Sequence, residues 1–329
     1  MTVINGIEFD DIKYLPNDIK SSIKNNDKIE DKLHVVMVIS NPCQYKKRFM
    51  LATDFIQRME QESDVILYIV ELAYTKQNFH VTSSNNPRHL QLYSEIAPLW
   101  HKENMINLGV QKLLPDNWKA FAWIDADLEF ESATWASDTL KILNGSRDVV
   151  QLFSHANDMD QNENTMTLFA SFGYHYTNGK KYGKPSFWHP GYAWAMTRSL
   201  YEKLGGLYEY SILGSGDHNM SFAMIERGIA SLNIECTDEY KQSVVDFQNK
   251  IKGCKLGYVP GIIKHYFHGT KQNRKYFERW QILVKHKYSP TLHITKNIDG
   301  LLIPTELCPL DLLNDIVLYN KERNEDDFL

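Results

Sequence analysis

Two aspartates separated by one residue, Asp125 and Asp127, have the type and spacing that point most directly to chemistry. They follow the apolar run 120–124, which is typical of a strand buried on both faces of a parallel sheet. Carboxylate oxygens are suitable ligands for Mg²⁺ or Mn²⁺, and such an ion can neutralise a diphosphate leaving group. Acidic pairs are common on solvated loops, but charge at the mouth of a core strand needs a partner or a ligand. We therefore predict a Mn²⁺ or Mg²⁺ site here.

A further protein ligand is expected from elsewhere in the chain. The segment 264–269 reads Lys-His-Tyr-Phe-His-Gly, and His268 is the best candidate because neutral imidazole is a common metal ligand. Strand alternation would place Tyr266 and His268 on one face, and His265 and Phe267 on the other. The alternative interpretation is a pair of ordinary histidines at a strand end.

The surrounding sequence alternates strands and helices. Apolar runs predict strands at 33–40, 65–70 and 120–124, and amphipathic patterns predict helices at 45–62 and 102–114. This order is the signature of a right-handed α/β sheet. Such sheets bind ligands beyond the carboxyl ends of their strands, which is where the acidic pair falls.

The second half of the chain is less regular. The polar stretch 75–95 and the aromatic stretch 154–187 are predicted to be loops. The charged end, 320–329, is expected to fray. Further strands are predicted at 149–153, 256–259 and 261–267, and further helices at 197–204, 217–227 and 271–286.

Composition narrows the class of protein. With 36 basic and 41 acidic residues the formal charge is −5, which argues against nucleic-acid binding as the main activity. The first residues do not resemble a signal peptide, and no apolar stretch approaches 18 residues, so no membrane segment is predicted. We expect a cytoplasmic location, or a membrane stalk that lies outside this sequence. The four cysteines lack metal-ligand spacing and are expected to be reduced.

Several segments, in this order, resemble GT-A-fold glycosyltransferases, and most closely the β-1,4-galactosyltransferase and polypeptide N-acetylgalactosaminyltransferase group. The resemblance implies a central, mostly parallel sheet flanked by helices. Residues 1–32 have weak periodicity and are predicted to form a peripheral arm or hairpin. The resemblance spans roughly 33–285 and implies a catalytic domain (33–288, with a nucleotide-binding half 33–130 and an acceptor half 131–288), followed by a C-terminal extension (289–329). The segments are 100–110, the Asp125–Asp127 strand, 191–196, 204–207, 214–219 and His268-Gly269 with Arg274.

The resemblance also implies a donor site for a nucleotide sugar, with UDP favoured. Asp127 would bind the metal directly, Asp125 would contact the ribose or reach the metal through water, and His268 matches the family's C-terminal metal ligand. Arg274 would neutralise the diphosphate, although a solvated helix residue is an equally good interpretation. The residues implied in donor binding are Ser40, Asn41, Pro42, Glu71, Lys102, Asn107, Asp125, Ala126, Asp127, Gly191 and Arg274.

The acceptor, a glycan or other hydroxyl compound, is expected beside Trp188, Tyr192 and Asp217, because aromatic faces suit sugar rings. Galactosyltransferases carry consecutive acids where this chain has Asp217 followed by His218. Either residue could be the general base, since both residue types can accept a proton from a hydroxyl. Inversion is favoured, and a retaining route without such a base stays open.

Two other classes of protein fit less well. A sugar nucleotidyltransferase would also place carboxylates at a strand end, but 41–44 is not a glycine-rich phosphate loop. A non-catalytic carbohydrate-binding protein on the same fold is the second alternative, because the Gly-Asp-His segment departs from the family pattern.

Overall fold

The computed structural model describes residues 26–95, 99–182 and 188–326, and the backbone of two short strands at 2–4 and 7–9. Most of the predicted arm therefore lies outside the described residues. The strands are β1 (Thr2–Ile4), β2 (Ile7–Phe9), β3 (Leu33–Ser40), β4 (Val65–Tyr74), β5 (His89–Ser94), β6 (Ala120–Ile124), β7 (Leu128–Phe130), β8 (Val149–Gln151), β9 (His155–Met159), β10 (Thr165–Ala170), β11 (Ala193–Thr197), β12 (Leu256–Tyr258), β13 (Ile262–His265), β14 (Ile294–Lys296) and β15 (Leu302–Pro304).

The helices flank these strands. They are α1 (Lys46–Gln61), α2 (Lys102–Leu113), α3 (Trp135–Leu143), α4 (Phe172–Thr177), α5 (Arg198–Leu204), α6 (Gly216–Met224), α7 (Asp238–Ile251), α8 (Glu278–Lys285), α9 (Pro290–His293) and α10 (Leu310–Glu322). Of the helices in the described part of the chain, none has both the length and the apolar composition of a membrane span.

The central sheet has seven strands in the order β12-β8-β11-β6-β3-β4-β5. All neighbouring pairs are parallel except those of β11, which runs antiparallel to β6 and β8. The predicted α/β class with a mostly parallel central sheet is confirmed. β3 and β6 span the residues that the apolar runs predicted, because both strands are buried on the two faces of the sheet.

Helices cover both faces of the central sheet. Alternate residues of β3 divide between two apolar cores, with Val35 and Met37 facing one and Val36 facing the other. Phe55 of α1 packs in the first core and Met105 of α2 in the second. Packing in the two cores holds β3 between the helices, and so positions the strand ends at which the site lies.

A second sheet, ordered β1-β2-β10-β9-β13-β7, lies beside the carboxyl edge of β6. Two of its strands, β9 and β10, fall within 154–187, so the prediction of one long loop there was wrong. The prediction of a loop over 75–95 was also wrong at 89–94, which pairs with β4 as β5. Polar side chains on strands at a sheet edge or beside a site conceal the strand pattern.

The C-terminal part of the chain also differs from expectation. Leu312, Ile316 and Tyr319 of α10 belong to the same apolar core as α2. Beyond the helix, Arg323 and Glu325 are buried. The expectation that 320–329 frays was therefore wrong for 320–326, the part that is described, because its charges are paired inside the molecule.

Candidate metal centre and donor site

Strand register brings the candidate ligands together. β13 pairs with β7 so that His265 lies opposite Leu128, the residue after Asp127. On its other side β13 pairs with β9, which places His265 opposite Asp158. The amide of Tyr266 donates to the carbonyl of Asp127 at 2.8 Å and extends the pairing toward His268.

Asp127, His265 and His268 form one cluster, in which a ligand atom of each residue lies within 4.8 Å of the other two. Nε2 of His268 is 2.8 Å from Oδ2 of Asp127, and Nε2 of His265 is 3.7 Å from the same oxygen. Two electron-pair donors this close need a proton or a metal ion between them. One carboxylate and two imidazoles suit a divalent transition metal such as Mn²⁺ better than Mg²⁺, which prefers oxygen ligands.

The unsatisfied oxygen of Asp127 supports this fit. Oδ1 of Asp127 is buried and has no hydrogen-bond partner in the described structure. A buried carboxylate oxygen left alone is costly, so such an atom calls for an explanation such as an ion. The residues present therefore fit a divalent metal ion.

The charged groups around Asp127 also favour a positive charge beside its carboxylate. Burial raises the pKa of Asp127, but His268 and His265 lower it more, and the net pKa lies well below its ordinary range. Burial lowers the pKa of His265, but Asp127 and Asp158 raise it above its ordinary value. Positive charge beside Asp127 is therefore stabilised.

Asp158 lies against Nδ1 of His265, the ring nitrogen on the side away from Asp127. Its Oδ1 lies 2.6 Å from Nδ1 of His265, and its other oxygen pairs with Lys271. A carboxylate on the far nitrogen fixes the tautomer and orientation of a metal-binding histidine. His265 is thereby set to present Nε2 to the cluster.

Arg274 adjoins this cluster. Its Nη2 lies 2.8 Å from Nε2 of His268, and its Nη1 donates to the hydroxyl of Tyr276 at 3.1 Å. Its Nε is buried without a partner in the described structure. The guanidinium thus adds positive charge with unused donor capacity beside the candidate ligands.

Asp125 is oriented by Lys102, with which it forms an ion pair. Burial raises the pKa of Asp125 above its ordinary value, although Lys102 opposes this effect. The amide of Asp125 donates to the carbonyl of Tyr192 at 2.9 Å. Asp125 is outside the three-residue cluster but next to it in the chain, so its predicted contact with ribose or a metal-bound water stays a prediction.

Asp217 and His218 lie in the first turn of α6, where, against the lowering effect of burial, the charge of Asp217 helps to raise the pKa of Lys102. Asp217 Oδ1 accepts from the amide of His218 at 2.8 Å. A Cβ added at Gly191 would lie 2.8 Å from Oδ2 of Asp217, so the missing side chain of Gly191 makes room for this carboxylate. Burial lowers the pKa of His218, which favours its neutral form.

Tyr192 links the cluster of Asp127, His265 and His268 to Asp217, because it stacks on His265 and follows Gly191. Its ring stacks between His189 and His265, with ring centroids 4.2 Å and 4.5 Å away. Its φ of 85° is unusual for a bulky residue, and such conformations persist where the surroundings enforce them. Tyr192 thus lies in the site, whereas Trp188 is 3% exposed and packs against Phe172.

The remaining predicted donor residues have structural partners of their own. The side chain of Asn107 is buried and bonds to Leu207 and Glu209. Glu71 accepts from the amides of residues 80–82. Asn41 bonds to Tyr45, and the carbonyls of Ser40 and Pro42 accept from Arg48 and Gln77. Their roles in donor binding, and that of Ala126, stay predictions.

Sequence reasoning missed four residues of this region: His265, Asp158, Glu103 and Glu325. Strand alternation predicts His265 on the face opposite His268, but β13 ends at His265 and the alternation does not continue to His268. Glu103 is 3% exposed, and a Cβ at Gly216 would lie 2.3 Å from its carboxyl carbon. Its position next to Lys102 was the one available signal.

Glu103 predicts a pH dependence of stability. Burial raises its pKa from 4.5 to about 8, against the effect of Lys102. Above pH 4.5 the unfolded chain releases this proton and the folded chain does not. The free energy of unfolding therefore falls from pH 4.5 to about pH 8, by up to about 1.4 kcal/mol per pH unit.

We expect Glu103→Gln to remove the part of the fall in the free energy of unfolding that comes from Glu103. Urea unfolding of the variant and the wild type across the same pH range measures the difference, with the exposed Glu306→Gln as the control. A gap between wild type and Glu103→Gln that stays constant with pH would contradict the assignment.

No protein-family model and no curated protein matches the sequence. Among solved structures, a Drosophila β-1,4-galactosyltransferase 7, in complex with manganese, UDP-Gal and xylobiose, is similar over 87% of this chain and 98% of its own, with 11% identity and a TM-score of 0.40. A mannosyltransferase from Pyrobaculum calidifontis, in complex with GDP-Man and Mn²⁺, is similar over 80% of this chain and 66% of its own, with 12% identity and a TM-score of 0.39.

Proposed function

We propose that this chain is a metal-dependent glycosyltransferase of the GT-A type. It would transfer a sugar from a nucleoside-diphosphate sugar, by preference a UDP-sugar, to a hydroxyl of a glycan. The observation that carries the proposal is the cluster of Asp127, His265 and His268, with its buried unpartnered oxygen, at the carboxyl end of β6. This is the edge of an α/β sheet where ligands bind.

The donor side combines a metal site with fixed positive charge. A bound Mn²⁺ or Mg²⁺ would neutralise the negative charge that develops on the diphosphate. Arg274, beside His268, has planar donors that match phosphate oxygens. Lys102, whose pKa is lowered by burial but raised overall by Asp125, stays charged and holds that carboxylate toward the donor.

The acceptor side supplies a base. The acceptor hydroxyl oxygen would form a bond to the anomeric carbon as the bond from that carbon to the phosphate oxygen breaks. The proton passes to the carboxylate of Asp217, and the nucleoside diphosphate leaves with the bonding electron pair. Attack from the face opposite the leaving group inverts the configuration. Asp217 fits this role because it lies against Gly191, next to Tyr192.

His218 is the second candidate for the base, since burial favours its neutral, proton-accepting form. Tyr192 is 8% exposed and its ring is stacked on His189 and His265, so these rings would need to open before an acceptor sugar could stack on it. Trp188 would need the rings around it to open before it could bind an acceptor.

A donor screen tests the proposal. The protein is incubated with UDP- and GDP-sugars and Mn²⁺, with and without glycan acceptors, and free nucleoside diphosphate is measured. We expect its release from one donor, dependent on the metal. Formation of a nucleotide sugar from sugar phosphate and nucleoside triphosphate would favour a nucleotidyltransferase. Sugar binding without turnover with any donor would favour a non-catalytic protein.

A further inference from the structure

The buried carboxylate of Glu325, almost at the end of the chain, faces the candidate metal ligand His268. Oε2 of Glu325 lies 3.8 Å from Nδ1 of His268, the nitrogen that points away from Asp127. This is an ion-pair distance, longer than a hydrogen bond. The Glu325 side chain is 2% exposed, so water does not screen its charge.

Two arginines hold Glu325 in place. Nε of Arg48 donates to Oε2 at 2.9 Å, and Nε of Arg323 donates to Oε1 at 2.9 Å. Both arginines form ion pairs with the Glu325 carboxylate inside the molecule. The carboxylate is thus a fixed negative charge behind the imidazole of His268.

The backbone around Glu325 is also fixed, by hydrogen bonds to α1 and by close packing on Gly269. Asp326 accepts from the amides of Lys46 and Lys47 at the start of α1, at 3.0 Å and 2.9 Å. Gly269, next to His268, packs so closely on this segment that a Cβ there would lie 3.2 Å from Cα of Glu325. Residues 323–326, which we call the C-terminal clamp, therefore join the start of α1 to the residue that follows His268.

A carboxylate beside Nδ1 of His268 would help this histidine to bind a metal ion. If Nε2 of His268 binds the ion, the ring proton must be on Nδ1. That N–H then faces Glu325, as Nδ1 of His265 faces Asp158. Both histidines of the cluster would have a carboxylate on the far nitrogen, the arrangement that orients such ligands and raises their basicity.

We infer that Glu325 is a positioning residue of the metal centre and that the C-terminal clamp is part of the site. The inference rests on the proposed metal site. In addition, Nη1 of Arg48 donates to the carbonyl of Ser40 at 2.6 Å. The clamp therefore connects the metal ligand His268 to the end of β3, where donor-binding residues are predicted.

Mn²⁺ titration of the full chain, by calorimetry and by electron paramagnetic resonance of the free ion, tests this inference without turnover. We expect Glu325→Gln to weaken Mn²⁺ binding about 10- to 100-fold. Glu322→Gln is the matched control, because it removes an exposed charge outside the C-terminal clamp that pairs with Lys275 rather than facing His268, and it should bind Mn²⁺ as the wild type does. Thermal unfolding without metal reports whether each variant is folded.

A double-mutant cycle separates positioning from general destabilisation. In a His268→Ala background, Glu325→Gln should weaken Mn²⁺ binding no further. An equal loss in both backgrounds, or wild-type affinity in Glu325→Gln, would overturn the inference. If Glu325→Gln is unfolded, Glu325→Asp keeps the charge for the arginines but shortens the reach to His268, and wild-type affinity in it would overturn the inference equally. A wild-type protein that binds no Mn²⁺ would instead refute the proposed metal site itself.

Discussion

Replacing Asp127 with asparagine is expected to abolish Mn²⁺-dependent binding of the nucleotide sugar while the protein stays folded. The amide has nearly the same shape, and the carbonyl that pairs with Tyr266 is unchanged. However, the variant loses the negative charge of the cluster's one carboxylate, and an NH₂ group replaces one of its two oxygens. The loss should exceed the roughly 10- to 100-fold cost of removing an outer-shell partner. Calorimetric titration with Mn²⁺ and a UDP-sugar measures it.

Glu129→Gln is the matched control for this experiment. Glu129 is two residues further along the chain and pairs with Lys264 and Tyr266 rather than with the cluster. The control should retain the affinity of the wild type. Unchanged donor affinity in Asp127→Asn would contradict the proposed metal site.

Replacing Asp217 with asparagine is expected to leave donor affinity near that of the wild type and to lower the rate of transfer by about 10²- to 10⁴-fold, as for loss of a general base. The amide still accepts a hydrogen bond from His218 but no longer takes a proton from the acceptor. Donor titration and a transfer assay on the same preparation separate the two effects. Asp238→Asn, an acid in the first turn of α7, is the control for a helix-terminus effect.

Near-normal transfer in Asp217→Asn would require a different base or a different route. His218→Gln would then be the decisive variant, because His218 is the second candidate base. If both variants transfer sugar normally, a retaining mechanism without a base replaces inversion. Comparison of the anomeric configuration of donor and product by nuclear magnetic resonance decides between them.

The donor half of the fold could be predicted because its signals are local. β3 and β6 are buried on both faces, so continuous apolar runs mark them from end to end. The acidic pair follows β6 directly, and the position of ligands beyond the strand ends is a general property of such sheets. His268 was identified from residue type and resemblance, and the structure places it 2.8 Å from Asp127.

The rest of the site depends on long-range pairing. Asp158 is opposite His265 through the register of β9 and β13, which lie more than a hundred residues apart in the chain. The segment around Glu325 has the charged composition of a frayed tail, and the pairing of Glu325 with Arg48 and Arg323 explains its burial. Neither contact leaves a periodic pattern in the sequence, so neither could be read from it.

Diffraction from a crystal grown with Mn²⁺, recorded at the manganese absorption edge, tests the metal centre most directly. We predict one strong anomalous peak in contact with Asp127, His265 and His268, and loss of that peak in Asp127→Asn. A peak bound elsewhere, or no peak in a crystal that diffracts well, would contradict the account.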